Sequence, residues 1–495
     1  MLKLKVKRPM LLCGLVISVC AAIAGYFGFN LLLISALVLL ILSFCFFSRK
    51  IAFIVLFAIL ILIFSFLHTN FKITNLRNFC YSSYTLNLLA TENPEDKGDY
   101  GQIRVLSVDN GKIPDDEKFI LNFSGNLPVK AGDVFSASVK IQPLDNSDYK
   151  FYYYSNNIYY KLKIVSFEKT LHKSRFYATM NDIRNAVEDK LFLNLSPETA
   201  STMCAITYGD KSYLSDEFAT KIRRAGVSHV MVVSGMHLAI IMTGIFSLLD
   251  RLFYNRYLRC LLSVICVFLI CGICGFTMSI TRAGIMYILA AFSPLLFREN
   301  DSANTLGTTV AIIVLVSPYA IFNVSFLLSV TATYGVVGLS PFYSELFSNR
   351  IHKENFVLRG AVSLVCNTVC AMIMTLPITI YCFSEVSLIA LLTNLAISYP
   401  VTWGLTAVFY ALILSFIPYL SMLAKPLFAV AEFFTRYINI IINDFGSYKY
   451  SAVKAYKSFT LLATAFTVAV IAFMYLYEPL KKAKKEKREK NAGTI

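Results

Sequence analysis

The sequence predicts a polytopic α-helical membrane protein of about 12 spans with one small extracytoplasmic all-β domain near its N-terminus. Three observations predict it. Apolar residues make up 57% of the 495 residues and charged residues only 15%, against roughly 25% charged in ordinary soluble domains. Several uninterrupted apolar runs reach the ~20 residues a bilayer-spanning helix needs. Between about residues 70 and 170 the pattern changes to short alternating stretches separated by turn residues, as strands require.

The first element is a three-span segment, residues 1–69, with spans at about 10–27, 31–47 and 51–67. It is not read as a removable signal peptide, because each apolar run passes straight into the next and no small-residue cleavage site stands out. The opening "MLKLKVKR" carries four basic residues and no acid, and "KKAKKEKREK" (481–490) carries seven basic residues and two acids. Basic ends of this kind belong in the cytoplasm. Residues 71–170 hold 12 basic and 12 acidic residues, so the net charge of +16 reports membrane topology before it reports a nucleic-acid partner.

With the N-terminus inside, three crossings place residues 70–170 outside. "GQIRVLSVDNGK", "KFILNFSGNL" and "DVFSASVKIQPL" alternate between Asn-Gly, Gly-Asn and Ala-Gly-Asp turns. The expectation is a Greek-key barrel of OB type with five or six strands, to which "YKFYYYSNNIYYKLKI" (149–164) adds an aromatic, Lys-flanked strand pair. Residues 171–228 read as amphipathic helices at the outer membrane surface. Residues 229–480 form a helical bundle with spans at about 229–249, 260–277, 282–297, 304–322, 323–340, 359–383, 386–399, 402–420 and 459–477. Pro400 makes the 386–420 region a place for broken or re-entrant helices, and 421–458 an outer amphipathic segment. Residues 481–495 are a basic cytoplasmic tail.

The residues that could carry chemistry are few. "SHVMVVSGMH" (228–237) holds two of the five histidines. On a helix His237 lies about 80° from His229 and about 60° from Ser234, so one flank carries all three beside a notch at Gly235. Polar groups in a span face the bundle interior or a wet cavity. Helix packing, the lining of a passage and Ser–His catalysis are all open, although no carboxylate lies within 228–249 to orient a base. Two local histidines are too few for a metal site. Arg282 in "FTMSITRAGIM" either snorkels, pairs within the bundle or meets a phosphate. Ser325 and Ser329, and Asn394 and Ser398, are further polar groups in apolar surroundings. "GDKS" (209–212) lacks the Gly-Lys pair of a phosphate-binding loop, so neither an ATP site nor any other cofactor or metal is expected. Tyr152, Tyr153, Tyr159, Tyr160 and Lys161 could stack and neutralise a single strand, or pack as ordinary sheet residues. Cysteine pairs such as "CGIC" (271–274) lie in apolar runs and read as packable helix surface.

"AITYGDKSYLSDEFATKIRRAGVSHVMVVSGMHLAII" (205–241) resembles the signature of the ComEC-type competence proteins, a DNA internalization channel family. The order of features is Gly209–Asp210, Leu214–Ser215, Gly226 to His229, then Ser234–Gly235 with His237, with Arg224 in the connecting "KIRRAG". "ITRAGIM", "SFLLSVTATYG" and "TLPITIYCFSEVSLIALLTNLAISYP" are similar to later family motifs. The resemblance implies a channel for single-stranded DNA during natural transformation, in the cytoplasmic (inner) cell membrane of a bacterium. Asp210, Arg224, His229, Ser234, Gly235, His237, Arg282, Ser329 and Asn394 would line or shape the passage. It also implies a separate helicase or ATPase, a DNA receptor and a separate nuclease, because the metallo-β-lactamase-like domain of many relatives is not seen here. The chain itself would be no enzyme. Departures are Leu327, where the family has Gln, and a stretched Asn394–Pro400 spacing. The competing readings are a membrane-embedded hydrolase or transferase using Ser234 and His237, and a transporter of small solutes or lipid-linked polymers.

Overall fold

The computed structural model describes residues 8–27, 49–96, 100–110, 113–125, 127–144, 149–296, 301–348, 355–448 and 450–492. Among these, seven helices are long and apolar enough to cross a membrane, and three shorter apolar helices accompany them. The chain is thus a mainly helical, multi-pass membrane protein with a small β-domain. The expected span at 31–47 lies outside the described residues.

The described chain forms two compact units. The first comprises Met1–Lys211, Val232–Phe326 and Leu405–Ala429. Its first helix, Pro9–Phe27, lies along Ser302–Val316 at a crossing where each helix contributes a glycine. A Cβ on Gly307 would stand 2.3 Å from Leu11 Cα, and one on Gly14 2.5 Å from the Gly307 carbonyl oxygen. The two backbones therefore touch, as small residues permit in membranes. Helix Arg49–Arg77 continues ten residues beyond the expected end of the third span at 67. Its last turns leave the apolar run and meet the β-domain.

That domain has six strands: β1 (Ser83–Ala90), β2 (Glu95–Asp96), β3 (Gly101–Ser107), β4 (Lys118–Phe123), β5 (Asp133–Pro143) and β6 (Ile158–Lys173). β1 pairs with both β3 and β5, β3 with β4, β4 with β6 and β6 with β5. Five strands therefore form a closed ring, with β2 added to β3, and the β4–β6 pair alone is parallel. Leu86, Leu88, Ile103, Val105, Phe119, Leu121, Phe135, Ala137, Tyr160 and Leu162 are buried. These are alternate residues of each strand, so the period of two seen in the sequence is the inward face of the ring.

The aromatic stretch departs from expectation. Tyr152 and Tyr153 lie on a short helix, Lys150–Ser155, and not on a strand. Tyr159 and Tyr160 on β6 are buried, and the Tyr160 hydroxyl donates to the Ile73 carbonyl of helix Arg49–Arg77. Tyr154 packs edge-on against Tyr319, and Phe151 stacks on Phe322 at 4.7 Å. Asn157 accepts from Ser317 at 2.9 Å, Ser155 from Asn323 at 3.1 Å, and Glu117 pairs with Lys72 at 2.7 Å. Most of these side chains fasten the β-domain to the spans, because burying tyrosine against tyrosine releases more apolar surface from water than leaving the rings exposed.

Past β6, helices Arg175–Asn194 and Pro197–Tyr208 follow. The second is largely buried, at Ala200, Met203, Cys204 and Ile206, so it packs inside the unit rather than lying on a surface. Gly132, at φ +94°, lets the β-domain approach the first of them. A Cβ there would stand 2.5 Å from the Ala178 nitrogen.

The second unit comprises Ser212–Met231, Leu327–Gly404 and Val430–Ile495. Within it a π turn at Gly335–Leu339 carries the expected span at 323–340 on as far as Ser348. Its Gly335 lies against helix Phe356–Phe383, 2.6 Å from the Cys370 carbonyl oxygen by a Cβ's reach. Helix Phe459–Ala492 joins the same cluster through Met474, with Leu339 and Cys370. A two-stranded ribbon, β7 (Glu385–Ser387) with β8 (Ala452–Lys454), completes the unit.

Two long helices remain. The expected spans at 386–399 and 402–420 are one continuous helix, Ala390–Ser415, with Pro400 inside it. Proline removes one donor, leaving the Ala396 carbonyl without its usual helical partner, and crowds the preceding turn, yet membrane helices tolerate it without ending. Ser398 Oγ donates to the Asn394 carbonyl, and Thr402 Oγ1 to the Ser398 carbonyl at 2.9 Å. The segment expected as outer and amphipathic is helix Ser421–Ser447, followed by β8. Ala424, Phe428, Ala431, Thr435, Ile438 and Ile442 form its buried stripe, spaced four and three residues apart.

Candidate functional site

The flank expected to carry His229, Ser234 and His237 does not exist, because the helix begins only at Gly235. Residues 228–234 form a turn and an extended approach. Ser234 is the residue before the helix, with φ −110° and ψ 170°, and its side chain accepts from the backbone N–H of His237. In return Nδ1 of the fully buried His237 accepts from the Ser234 N–H at 3.1 Å. The arrangement is a capping box in which histidine stands where Glu or Gln usually does. Two of the N–H groups that the start of a helix leaves open are thereby satisfied.

Gly235 and Arg282 belong to the same cluster. Arg282 is 4% exposed, on the first turns of helix Met278–Phe292. A Cβ on Gly235 would lie 3.0 Å from Arg282 Nη2 and 3.3 Å from Ala283 Cβ. Glycine at this position therefore leaves room for the guanidinium, whose Nη1 is 3.0 Å from Met286 Sδ. Arg282 does not snorkel; it packs against the start of Gly235–Leu252.

Asp210 occupies a second cluster in this unit. Gly209 ends helix Pro197–Tyr208 in the left-handed region at φ 87°, which glycine adopts without strain. Asp210 then binds Arg184, whose guanidinium carbon lies 4.8 Å from the Tyr208 ring centroid. The Tyr208 hydroxyl donates to Glu188 at 3.2 Å. Burial first, and then its hydrogen bond with Cys204, raises the Tyr208 phenol far above its usual value. Burial pushes the Cys204 thiol up to about 11. Both groups stay protonated, so the cluster is an anchor and not an activated nucleophile.

In the second unit Ser215 caps helix Asp216–Arg224 by accepting from the Phe218 N–H at 3.2 Å. Gly226, at φ +76°, closes it. The N–H groups of Gly226 and Val227 donate to the Arg223 and Ile222 carbonyls at 3.0 and 3.1 Å, a Schellman motif. His229 bonds to the Gly226 backbone. Arg224 Nη2 donates to the Tyr448 carbonyl at 3.0 Å, and the Arg224 carbonyl accepts from Ser387 Oγ at 2.8 Å. Asn394 is buried in helix Ala390–Ser415, and the Ser329 carbonyl accepts from Thr333 at 2.7 Å. Asp210, Ser234, Gly235, His237 and Arg282 belong to the first unit, and Arg224, His229, Ser329 and Asn394 to the second.

Of the residues read as DNA-binding, Tyr152 remains exposed, whereas Tyr159 and Tyr160 are buried. Among the described residues no group of three or more His, Cys, Asp or Glu could hold a metal ion. Sequence reasoning missed the reciprocal Ser234–His237 cap, although Ser-x-x-His was legible as a variant of Ser-x-x-Glu. It also missed Arg184, whose helix carries no family motif.

The profile of the family described as Competence protein matches residues 206–480 of this chain. The chain is 23% identical over 335 residues to ComE operon protein 3 of Bacillus subtilis (strain 168), an alignment covering 67% of this chain and 41% of that protein. The chain therefore spans well under half the length of this relative. No solved structure matches it.

Proposed function

With more than half of its length matched by the family profile, the chain belongs to the competence protein family, and we propose that it carries single-stranded DNA across the cytoplasmic membrane during natural transformation. The observation that carries this reading is the continuous family match over 206–480, which takes in the helices from Asp216–Arg224 to Ser421–Ser447 and the apolar start of Phe459–Ala492. The ring of strands suits the role. Its strand order, closed by one parallel pair, is that expected of an OB-type barrel, a fold used to bind single strands. A separate helicase or ATPase, a DNA receptor and a nuclease would act with it, and the chain itself would catalyse no reaction. The Ser–His hydrolase reading gains nothing from the geometry, because the Ser234 hydroxyl and His237 Nδ1 are each engaged in capping.

In our topology both termini are cytoplasmic, the barrel is outside, and there are twelve crossings. β7 immediately precedes helix Ala390–Ser415, β8 follows helix Ser421–Ser447, and the two strands are hydrogen-bonded. Helices of 26 and 27 residues are each roughly 40 Å long, so if the first crosses, the second must return. The return helix replaces the crossing lost when two expected spans merged. Supporting contacts join segments that the alternation puts on one side. Arg8 pairs with Asp301 at 3.2 Å inside, and Asn157 meets Ser317 outside. A deletion strain supplied with labelled DNA tests the function: label must stay outside the cytoplasm, and unchanged entry refutes the proposal.

A further inference from the structure

The second unit carries an exposed surface that no family motif includes. The sequence "YKYSAVKAYK" (448–457) interleaves tyrosine with lysine. Tyr448, Tyr450 and Tyr456 are 68%, 69% and 75% exposed. They sit on a rigid base. A turn closed by the Ser451 N–H on the Tyr448 carbonyl, at 3.1 Å, holds the first two. β8 follows, paired with β7, and the Ala455 N–H donates to the Ser384 carbonyl at 3.0 Å just before Tyr456.

The base is tied down from the other side as well. Arg224 grips the Tyr448 carbonyl, Ser387 bridges to the Arg224 and Ser451 carbonyls at 2.8 and 3.3 Å, and Arg223 pairs with Glu385 at 3.5 Å. Gly446 lies against the Lys221 backbone at a distance that leaves no room for a side chain. Among the described residues of these segments, the cations Lys221, Arg223, Arg224, Lys454 and Lys457 outnumber three acids. Tyrosines near the ends of spans also serve as interfacial anchors. An anchor, however, needs neither a two-stranded ribbon to hold its rings nor an excess of cations around them.

We propose that this ribbon is a single-stranded nucleic-acid platform, on which Tyr448, Tyr450 and Tyr456 stack bases while Lys454 and Lys457 neutralise phosphates. The inference rests on the DNA-uptake reading and adds a contact site to it, apart from the barrel. Aromatic faces stack any base, so binding there is insensitive to sequence and sensitive to salt.

The test uses the full chain in nanodiscs of neutral lipid, with a fluorescent oligo-dT of about 20 nucleotides read by anisotropy. Tyr448→Leu/Tyr450→Leu/Tyr456→Leu keeps apolar bulk for a membrane interface but removes the rings, and should weaken binding about tenfold or more. The triple Phe variant keeps the rings and should bind within about twofold of the parent. Lys454→Gln/Lys457→Gln should lower the slope of log affinity against log salt by about 1.4, two phosphates at roughly 0.7 each. Parent-like binding by the triple Leu variant overturns the platform and leaves a membrane anchor. If the parent itself does not bind oligo-dT, the DNA-uptake reading falls with it. Photo-crosslinking of the parent with iodouracil-substituted oligonucleotide covers the case of a poorly inserted variant. Adducts on these tyrosines support the platform, and adducts confined to other residues overturn it.

Discussion

If Ser234 and His237 form a cap, substitutions that preserve capping must preserve the protein. Ser234→Ala removes one side-chain acceptor from a helix start, a loss of about 1 kcal/mol. His237→Leu leaves the half-buried Ser234 N–H without its Nδ1 acceptor, which costs about 1–3 kcal/mol. Ser234→Asn, Ser234→Asp and His237→Gln each restore the box, since these are residue types that normally build it. The assay is thermal unfolding in nanodiscs beside DNA uptake in cells. One kcal/mol shifts Tm by about 2 °C in a domain of a few hundred residues. Ser234→Ala and His237→Leu should therefore lower Tm by about 2–6 °C, and uptake should fall only as far as folded protein does. Ser234→Asp or His237→Gln with an unchanged Tm but abolished uptake would refute capping as their whole role and return a chemical one to the hydroxyl or the imidazole; a Tm lowered as far as in Ser234→Ala or His237→Leu would refute the cap itself.

Three further outcomes follow from the geometry. Gly307→Ala places a Cβ 2.3 Å from Leu11 Cα, where only backbone could yield. Overpacking of this kind costs about 1–3 kcal/mol or more, and the yield of monodisperse protein on size exclusion should drop sharply. Asp210→Asn and Arg184→Gln should each destabilise by about 1.5–3 kcal/mol, the value of a hydrogen bond to a charged group. The double variant should lose little more than either single, as a double-mutant cycle on Tm would read. For topology, in a background without the native cysteines, Tyr419→Cys should react in intact cells only with a permeant maleimide, and Tyr456→Cys with an impermeant one. Both side chains are exposed, at 97% and 75%, so burial does not decide the reactivity.

Much of the architecture was legible because it follows from periodicity. The switch from long apolar runs to a period of two marked the β-domain, and its inward residues, Leu86, Leu88, Phe119 and Leu121 among them, are the alternate ones. Pro400 misled because the loss of one donor does not end a helix of 26 residues whose other turns stay bonded. The tyrosines misled for another reason. An aromatic run has the same composition whether it stacks on a ligand or on Tyr319 and the end of a membrane helix, and only the fold brings Tyr154 and Tyr160 to those partners.

The family motif carries a second message, because its spacing also encodes the ends of helices. Gly209 closes Pro197–Tyr208, Ser215 opens Asp216–Arg224, Gly226 closes it, and Ser234 with His237 opens Gly235–Leu252. Four helix ends within about 30 residues leave many backbone donors and acceptors to satisfy beside an apolar bundle, where an unsatisfied one costs several kcal/mol. Small and polar residues at fixed intervals are what such a path demands, whether or not anything passes along it. The residues that remain after this demand is met are better guides to function. Arg282 is buried against Gly235, and the tyrosines of the β7–β8 ribbon are exposed. The search for contacts with DNA therefore begins with those side chains.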